Sequence, residues 1–317
     1  MKILVCGAGV IGTLYAARLQ QAGHHVTVLA RGSRRADIER HGLVLEDIVT
    51  GARLVARVSV AGQPLAEDSY DMALVTVRRD QLSAILPDLA LNRNTPSLLF
   101  MLNNPSGSSA LIDALGSDRV ILGFPGAGGA LEGYVVSYLM IAQQPTTIGE
   151  PNGKETPRLR TLLEMLRACD FRVRIDNDMD AWLTSHAFFV TSVSGAIYLA
   201  GGDCGQLSRS PSLLKLMVDG VCQGFSVVRA LGRPVHPLAL NVLFTWLPHT
   251  FAVYYWRRYF SQPTAEFIFA RHARHASAEM QMLAMECRLL LGKSGAVAPA
   301  LDRLFGAIDD YAAAHTK

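Results

Sequence analysis

The chain is predicted to be an α/β protein in two parts: a doubly wound parallel sheet over residues 1–177, then an all-helical domain over residues 178–317. Three observations predict this. Short apolar, β-branched runs alternate with helix-length amphipathic runs through the first half. After Asn177 the strand signal fades and long apolar stretches of helical length take over. A glycine-spaced turn, Gly7-Ala8-Gly9-Val10-Ile11-Gly12, joins the first apolar run to the first helical one, as in a Rossmann-like nucleotide-binding unit.

Taken in order, Lys2–Cys6 is the first strand and Val10–Ala22 the first helix. Gly7 permits the tight turn between them, Gly9 lets a pyrophosphate approach the backbone, and Gly12 lets the helix pack on the sheet. The free N–H groups and dipole at the helix start favour phosphate. The competing reading is a glycine turn with no ligand, but the strand before and the helix after favour a dinucleotide. His25–Ala30 is the second strand, followed by a basic stretch read as a loop, Arg31-Gly32-Ser33-Arg34-Arg35. An NAD-specific site usually carries a carboxylate here for the ribose 2′-hydroxyl. Arg31 instead suits a 2′-phosphate, with Arg34 and Arg35 behind it, so NADP(H) is expected as cofactor. A merely solvated basic loop is the alternative.

The rest of the first half follows the same alternation. Strands are expected at Asp71–Val77, Ser97–Leu102, Arg119–Phe124 and Arg172–Asp176, and helices at Asp80–Ala90, Ser108–Gly116 and Thr156–Cys169. Leu43–Glu46 and Arg53–Val60 read as a hairpin or edge pair, and Ala130–Met140 and Thr146–Gly149 as extra antiparallel strands. The second half is expected to hold helices at Trp182–Ala200, Pro211–Leu231, Pro237–Tyr255, Glu266–Leu291 and Ala298–His315, closing the crevice at the carboxyl ends of the sheet strands.

Half of the residues are hydrophobic and 18% are charged, which predicts a large buried core. A net charge of +3 is too small to argue for nucleic acid. The 5 cysteines are scattered without CxxC or Cys/His spacing, so neither a metal site nor a disulfide framework is expected. Reduced thiols and the absence of a secretory leader point to the cytoplasm. The apolar stretches Ala187–Gly202 and Leu238–Trp256 are short or interrupted by polar residues, and read as core helices rather than membrane spans.

Further along, Val75-Thr76-Val77-Arg78 is followed by Gln81, and Leu102-Asn103-Asn104 follows a strand. Gly126-Ala127-Gly128-Gly129, Thr147-Ile148-Gly149-Glu150, Trp182 with Ala196-Ile197-Tyr198, and Glu279 with Gly295 and Pro299 come after them in order. With the opening GAGVIG, this series resembles the ketopantoate reductases (2-dehydropantoate 2-reductases) over nearly the whole chain. The resemblance implies an NADP-dependent reductase of a 2-keto acid. It places Asn103 against nicotinamide and substrate, Arg78 where the family has a cofactor-lining Lys, Glu279 against the cofactor, and Gly129 with its backbone beside the cofactor.

The sequence departs from the family in the helical half. The family's proton-donating Lys and two following Asn residues correspond to Thr184, Phe188 and Ser192, and lysine occurs only at Lys2, Lys154, Lys215, Lys293 and Lys317. Thr184 and Ser192 remain candidate substrate contacts, and Phe188 makes the site more apolar. Ketone reduction needs an acid for the developing alkoxide. His186 is the candidate replacement, but it lies two residues past Thr184, about 200° round the helix. A hydrogen-bonded core histidine is the competing reading. His272 and His275 precede Glu279, and His275 is one helical turn from it; a relay or anion site competes with a polar helix face. His249 reads as structural, and Trp246, Tyr254, Tyr255 and Trp256 as core or a dimer surface.

The expected protein is therefore an NADP(H)-dependent oxidoreductase. It transfers hydride between nicotinamide and a carbonyl or hydroxyl carbon of a small keto acid or ketone held between the domains. A homodimer through the apolar helices fits this reading. The alternative is a catalytically silent NADP(H)-binding sensor or partner-binding protein, and a weaker third reading is oxidation of an amine or opine-type product.

Overall fold

The computed structural model describes residues 1–63 and 66–315. The chain forms two compact units: Met1–Leu102 with Ser108–Met179, and Asn103–Gly107 with the chain from Asp180 onward. The five-residue segment after a sheet strand thus belongs to the second unit.

The first unit runs β1 (Lys2–Cys6), α1 (Val10–Gln21), β2 (His25–Leu29), α2 (Gly32–His41), β3 (Leu43–Asp47), β4 (Arg53–Ala56), β5 (Ser59–Ala61), β6 (Met72–Val75) and α3 (Leu82–Leu91). It continues through β7 (Leu98–Met101), α4 (Ser109–Leu115), β8 (Val120–Phe124), β9 (Ala127–Glu132), β10 (Val135–Met140), β11 (Thr146–Gly149), α5 (Pro157–Ala168) and β12 (Val173–Ile175). Eight strands form one sheet in the order β12-β11-β8-β7-β6-β1-β2-β5. All neighbours are parallel except β11, which runs antiparallel to β8. The central strands are apolar at every position because both faces are covered: all four residues of β6 and of β7 are buried.

A smaller sheet has the order β4-β3-β10-β9. The expected pair of Leu43–Glu46 with Arg53–Val60 is present only in part. Leu43 to Glu46 pairs antiparallel with Arg53 to Ala56, but Ser59–Ala61 leaves the pair and extends the large sheet parallel to β2. The expected strand Ala130–Met140 is two strands, β9 and β10, turning at Gly133 with φ +58.

The basic stretch after β2 is a correction. Residues 32–41 form α2, with Arg31 at its N-cap and Gly42 (φ +78) ending it. Only Ile38 of this helix is buried, so no apolar period revealed it.

The second unit contains α6 (Met179–Leu199), α7 (Cys204–Ser208), α8 (Pro211–Ala230), α9 (Leu238–Asn241), α10 (His249–Phe260), α11 (Pro263–Ala265), α12 (Arg271–His275), α13 (Ser277–Ser294) and α14 (Pro299–His315). Helix α6 is apolar nearly all round because it is buried all round. Glycines let its neighbours close on it. A Cβ on Gly224 of α8 would lie 2.6 Å from the Phe188 Cβ, and one on Gly195 would lie 2.5 Å from the Leu304 carbonyl oxygen.

Two expected long helices are interrupted. Pro237–Tyr255 becomes α9, a π-helical turn at Val242–Trp246, and α10. Pro248 forces Leu247 to an extended ψ of 154°, which ends the helix before it. Glu266–Leu291 becomes a π-helical turn at Glu266–Ala270, then α12 and α13, with Ala276 (φ −120) between them. The short α7 gave no periodic signal; Asp203 caps it by accepting from the Gln206 N–H at 2.6 Å. Among the described residues no helix is long and apolar enough to cross a membrane.

Candidate functional site

The glycine turn is built for its conformation. Gly7 has φ +110, a region other residues rarely enter. A Cβ on Gly12 would collide with the Gly7 carbonyl oxygen and lie 2.6 Å from Thr76 Oγ1. Gly9 differs: nothing lies within 4 Å of the place its Cβ would occupy. It is the N-cap of α1, with no side-chain cap and no acidic residue in the first turn. Open space over uncapped N–H groups at Val10, Ile11 and Gly12 suits a phosphate-bearing group.

Two side chains brace this turn. Thr76 Oγ1 lies 3.1 Å from both the Cys6 and Gly7 carbonyl oxygens. Arg34 donates through Nε to the Ala8 carbonyl (2.9 Å), through Nη2 to Thr13 Oγ1 (3.0 Å) and through Nη1 to the Tyr134 carbonyl (3.2 Å). Its guanidinium ties the turn to the smaller sheet, so the expected supporting place at a 2′-phosphate gives way to a structural one. Neither role was legible in the sequence, because each joins residues far apart in the chain.

Arg31 and Arg35 line an open cavity of about 640 Å³ with Ala61, Gly62, Gln63, Asp68 and Tyr70, beyond the carboxyl end of β2. Arg31 Nε donates to the Gly62 carbonyl at 3.0 Å, and Arg35 pairs with Glu39 at 2.8 Å. Arg78, just past β6, forms a two-pronged pair with Asp80 at 3.1 and 3.2 Å. Gly129 is required by packing: a Cβ there would strike the Ser137 carbonyl and lie 2.7 Å from Val10 Cγ1, so its strand rests against the glycine turn.

In the second unit, Asn103 and Glu279 come together from positions far apart in the chain. Asn103 Nδ2 donates to Glu279 Oε1 at 3.2 Å, and the two residues are 6% and 3% exposed. Asn103 Oδ1 is buried with no hydrogen-bond partner among the described residues. His272 approaches the other carboxylate oxygen, Nε2 to Oε2 at 4.0 Å. The expected His275–Glu279 face is not formed. The bend at Ala276 separates them, and His275 Nδ1 lies 2.8 Å from the Arg271 carbonyl instead.

Thr184 is fully buried. Its hydroxyl lies 3.0 Å from the Pro105 carbonyl and 2.7 Å from the Asp180 carbonyl, and it accepts from Arg233 Nη1 at 3.0 Å. Phe188 and Ser192 continue this face of α6 and pack beneath α8, against Gly224 and Gly220 respectively. Ser192 Oγ is fully buried and has no partner among the described residues. Arg233 gives no sign of this contact in the sequence, because a lone arginine in a Gly-Arg-Pro turn carries no local pattern.

His186 sits among aromatics, its ring stacked on Trp182 with centroids 5.1 Å apart and tilted against Phe189 at 6.1 Å. Burial lowers its pKa to about 3, and the nearby His272 adds to the shift. A neutral imidazole has no readily given proton near pH 7, so the proton-donor expectation yields to the core reading. His249 is on the surface, with Nδ1 3.4 Å from Asp219 and Nε2 3.5 Å from Cys222 Sγ. Trp256 is core, while Trp246 and Tyr254 are exposed. Among the described residues no group of three or more His, Cys, Asp or Glu could hold a metal ion.

A parallel α/β unit with a phosphate-ready glycine turn, joined in one chain to an all-helical unit, defines a Rossmann-type protein. Residues 3–153 match the family described as Ketopantoate reductase PanE/ApbA. The chain is 23% identical over 241 residues to the "Uncharacterized oxidoreductase YkpB" of Bacillus subtilis (strain 168), covering 75% of this chain and 78% of that protein. Its fold is similar to a D-mandelate dehydrogenase solved with NADH and anilino(oxo)acetate (TM-score 0.79, 16% identity, 99% of each chain). It is similar also to the 2-dehydropantoate 2-reductase of Geobacter metallireducens GS-15 (TM-score 0.77, 19% identity, 98% of this chain and 99% of that one).

Proposed function

We propose that the protein is an NADP(H)-dependent oxidoreductase that interconverts a small 2-keto acid or ketone and its hydroxy counterpart. The observation that carries this reading is the buried Asn103–Glu279 pair, with its amide oxygen left without a partner among the described residues. A buried polar atom without a hydrogen bond is costly unless a ligand completes it. The names borne by the similar proteins, a 2-dehydropantoate 2-reductase and a dehydrogenase holding NADH, support the same class of chemistry.

Nucleotide binding is assigned to residues 1–177 and substrate binding to residues 178–317. The N–H groups of Ala8 to Gly12 hold the pyrophosphate, and Arg31 pairs with the 2′-phosphate. Arg78 and Gly129 line the cofactor as the family resemblance places them. When bound, NADP(H) supplies or accepts the hydride. Asn103 orients the reacting group, its Oδ1 accepting from the hydroxyl of the reduced form and its second Nδ2 hydrogen donating to the carbonyl oxygen of the oxidised one, and Glu279 fixes Asn103 while holding His272 close. His272, partly exposed and in reach of solvent protons, supplies the proton to the developing alkoxide. Thr184 contacts substrate through its hydroxyl; Ser192 supports that face from below. A cytoplasmic, homodimeric enzyme fits the unpaired cysteines and the exposed Trp246, Phe251 and Tyr254.

One observation favours a second reading, a silent NADP(H)-binding sensor: Thr184, Phe188 and Ser192 replace the family's lysine and asparagines. NADPH oxidation against a panel of 2-keto acids and larger ketones separates the two. Turnover of one of them supports the reductase; tight NADPH binding with no turnover of any supports the sensor.

A further inference from the structure

We propose that Arg233 supplies the cation missing at position 184 and binds the carboxylate of a 2-oxo acid. The proposal rests on the reductase reading and narrows its substrate class.

The position of the guanidinium is set by the chain. Gly232 (φ +74) turns the backbone after α8, and the Arg233 N–H is tied to the Val228 carbonyl at 3.1 Å. Pro234 restricts the residue before it to extended conformations. From this turn Nη1 reaches Thr184 Oγ1 at 3.0 Å, so a positive charge stands against the residue that replaces the family's lysine, but it comes from another element. Arg233 is partly exposed, within reach of a ligand.

The surroundings leave it donors to spare. A guanidinium has five N–H groups in a planar fork, and the Thr184 bond uses one. Nη2 lies 3.6 Å from where a Cβ on Gly107 would sit, and Asp180 Oδ2 lies 3.5 Å from the same point. Asp180 therefore shares this side of the segment and competes with an incoming carboxylate. Asn104 Nδ2 holds the segment by donating to the Gly107 carbonyl at 2.7 Å. Asn103 begins the segment and Gly107 ends it; Asn103 offers an amide at one end, and Arg233 stands beside Gly107 at the other, tied through Thr184 to the Pro105 carbonyl. A 2-oxo acid carries a keto oxygen for the amide and a carboxylate for the fork on adjacent carbons. Because guanidinium keeps its proton, Arg233 binds charge and transfers none.

The test is calorimetric. Oxamate and anilino(oxo)acetate, both 2-oxo carboxylates, and their uncharged carboxamides are titrated into the NADPH-saturated protein, unmodified and as R233K, R233M and the double variant R233M/T184K. Arg233→Met is expected to weaken both acids about 10- to 100-fold while the carboxamides change less than about 3-fold. Arg233→Lys is expected to retain part of the affinity, and the double variant to recover most of it by restoring a cation from α6. NADPH affinity and thermal midpoint of each variant serve as controls for folding. Failure of the unmodified protein to bind either acid, equal loss for acids and carboxamides, or no recovery in the double variant overturns the proposal. Absence of NADPH binding in the unmodified protein would instead defeat the reductase reading itself, so the two failures are distinguishable.

Discussion

The glycine turn and the Asn103–Glu279 centre are assembled in different ways. Gly7, Gly9 and Gly12 lie within six residues, and each has a separate steric reason to be glycine or an open space above it. The pairs Asn103–Glu279 and Thr184–Arg233 join residues 176 and 49 positions apart, brought together by helix packing and one five-residue segment. The first region has a local steric code: Gly7 by its φ of +110, Gly12 by the crowding of the Gly7 carbonyl, and Gly9 by the open space at the helix start. The second draws its polar groups from several elements, which no short motif encodes.

Four measurements break or sharpen that contrast. The largest effect is expected at Gly12→Val, whose side chain has no room beside the Gly7 carbonyl and Thr76. Overpacking of this kind costs about 1–3 kcal/mol or more, and NADPH binding is expected to vanish with a lower thermal midpoint. Retained binding would show that the turn is looser than its geometry. Asn103→Ala comes next. Loss of one positioned hydrogen-bonding group at a developing oxyanion costs on the order of 100- to 1,000-fold in kcat, while NADPH affinity is expected to change far less; steady-state kinetics beside calorimetry separates the two.

Arg31→Glu places a carboxylate where the 2′-phosphate is assigned. NADPH affinity is expected to fall about 10- to 100-fold, with NADH affinity nearly unchanged, measured by fluorescence titration. Parallel losses for both nucleotides would remove Arg31 from that role. The smallest effect on activity belongs to His186→Phe, which is expected to leave the pH–rate profile in place. Its stability signature is distinct. The imidazole has its pKa lowered to about 3 by burial, from 6.5. The unfolded chain therefore binds the extra proton first, and stability falls as pH drops through the window between those values. The slope is up to about 1.4 kcal/mol per pH unit and is absent above it. Denaturant titrations between pH 7.5 and 4.5 are expected to show His186→Phe with a flatter acid limb; an unchanged limb would mean the ring is not held neutral.

Much of the first unit was legible because its strands are short, apolar and bounded by glycines or polar residues. Helix α2 was not, since a helix with one buried residue shows no period. The breaks at Pro248 and Ala276 divided what periodicity alone reads as single long helices; proline announced the first, while Ala276 carried no local sign. At the candidate site, Asn103 and Glu279 were found through resemblance, and the structure puts them in one hydrogen bond. His186 was chosen by residue type, and burial among Trp182 and Phe189 removes its proton. Arg233 and Arg34 act through contacts 49 and 26 residues away, which no local pattern encodes.

The central claim is that the opening turn and Arg31 hold a nicotinamide dinucleotide with a 2′-phosphate. Parallel calorimetric titrations of the purified protein with NADPH and NADH test it most directly. The account predicts saturable binding of both, with NADPH tighter by at least about tenfold. No heat from either nucleotide at millimolar concentration, or a preference for NADH, would contradict it.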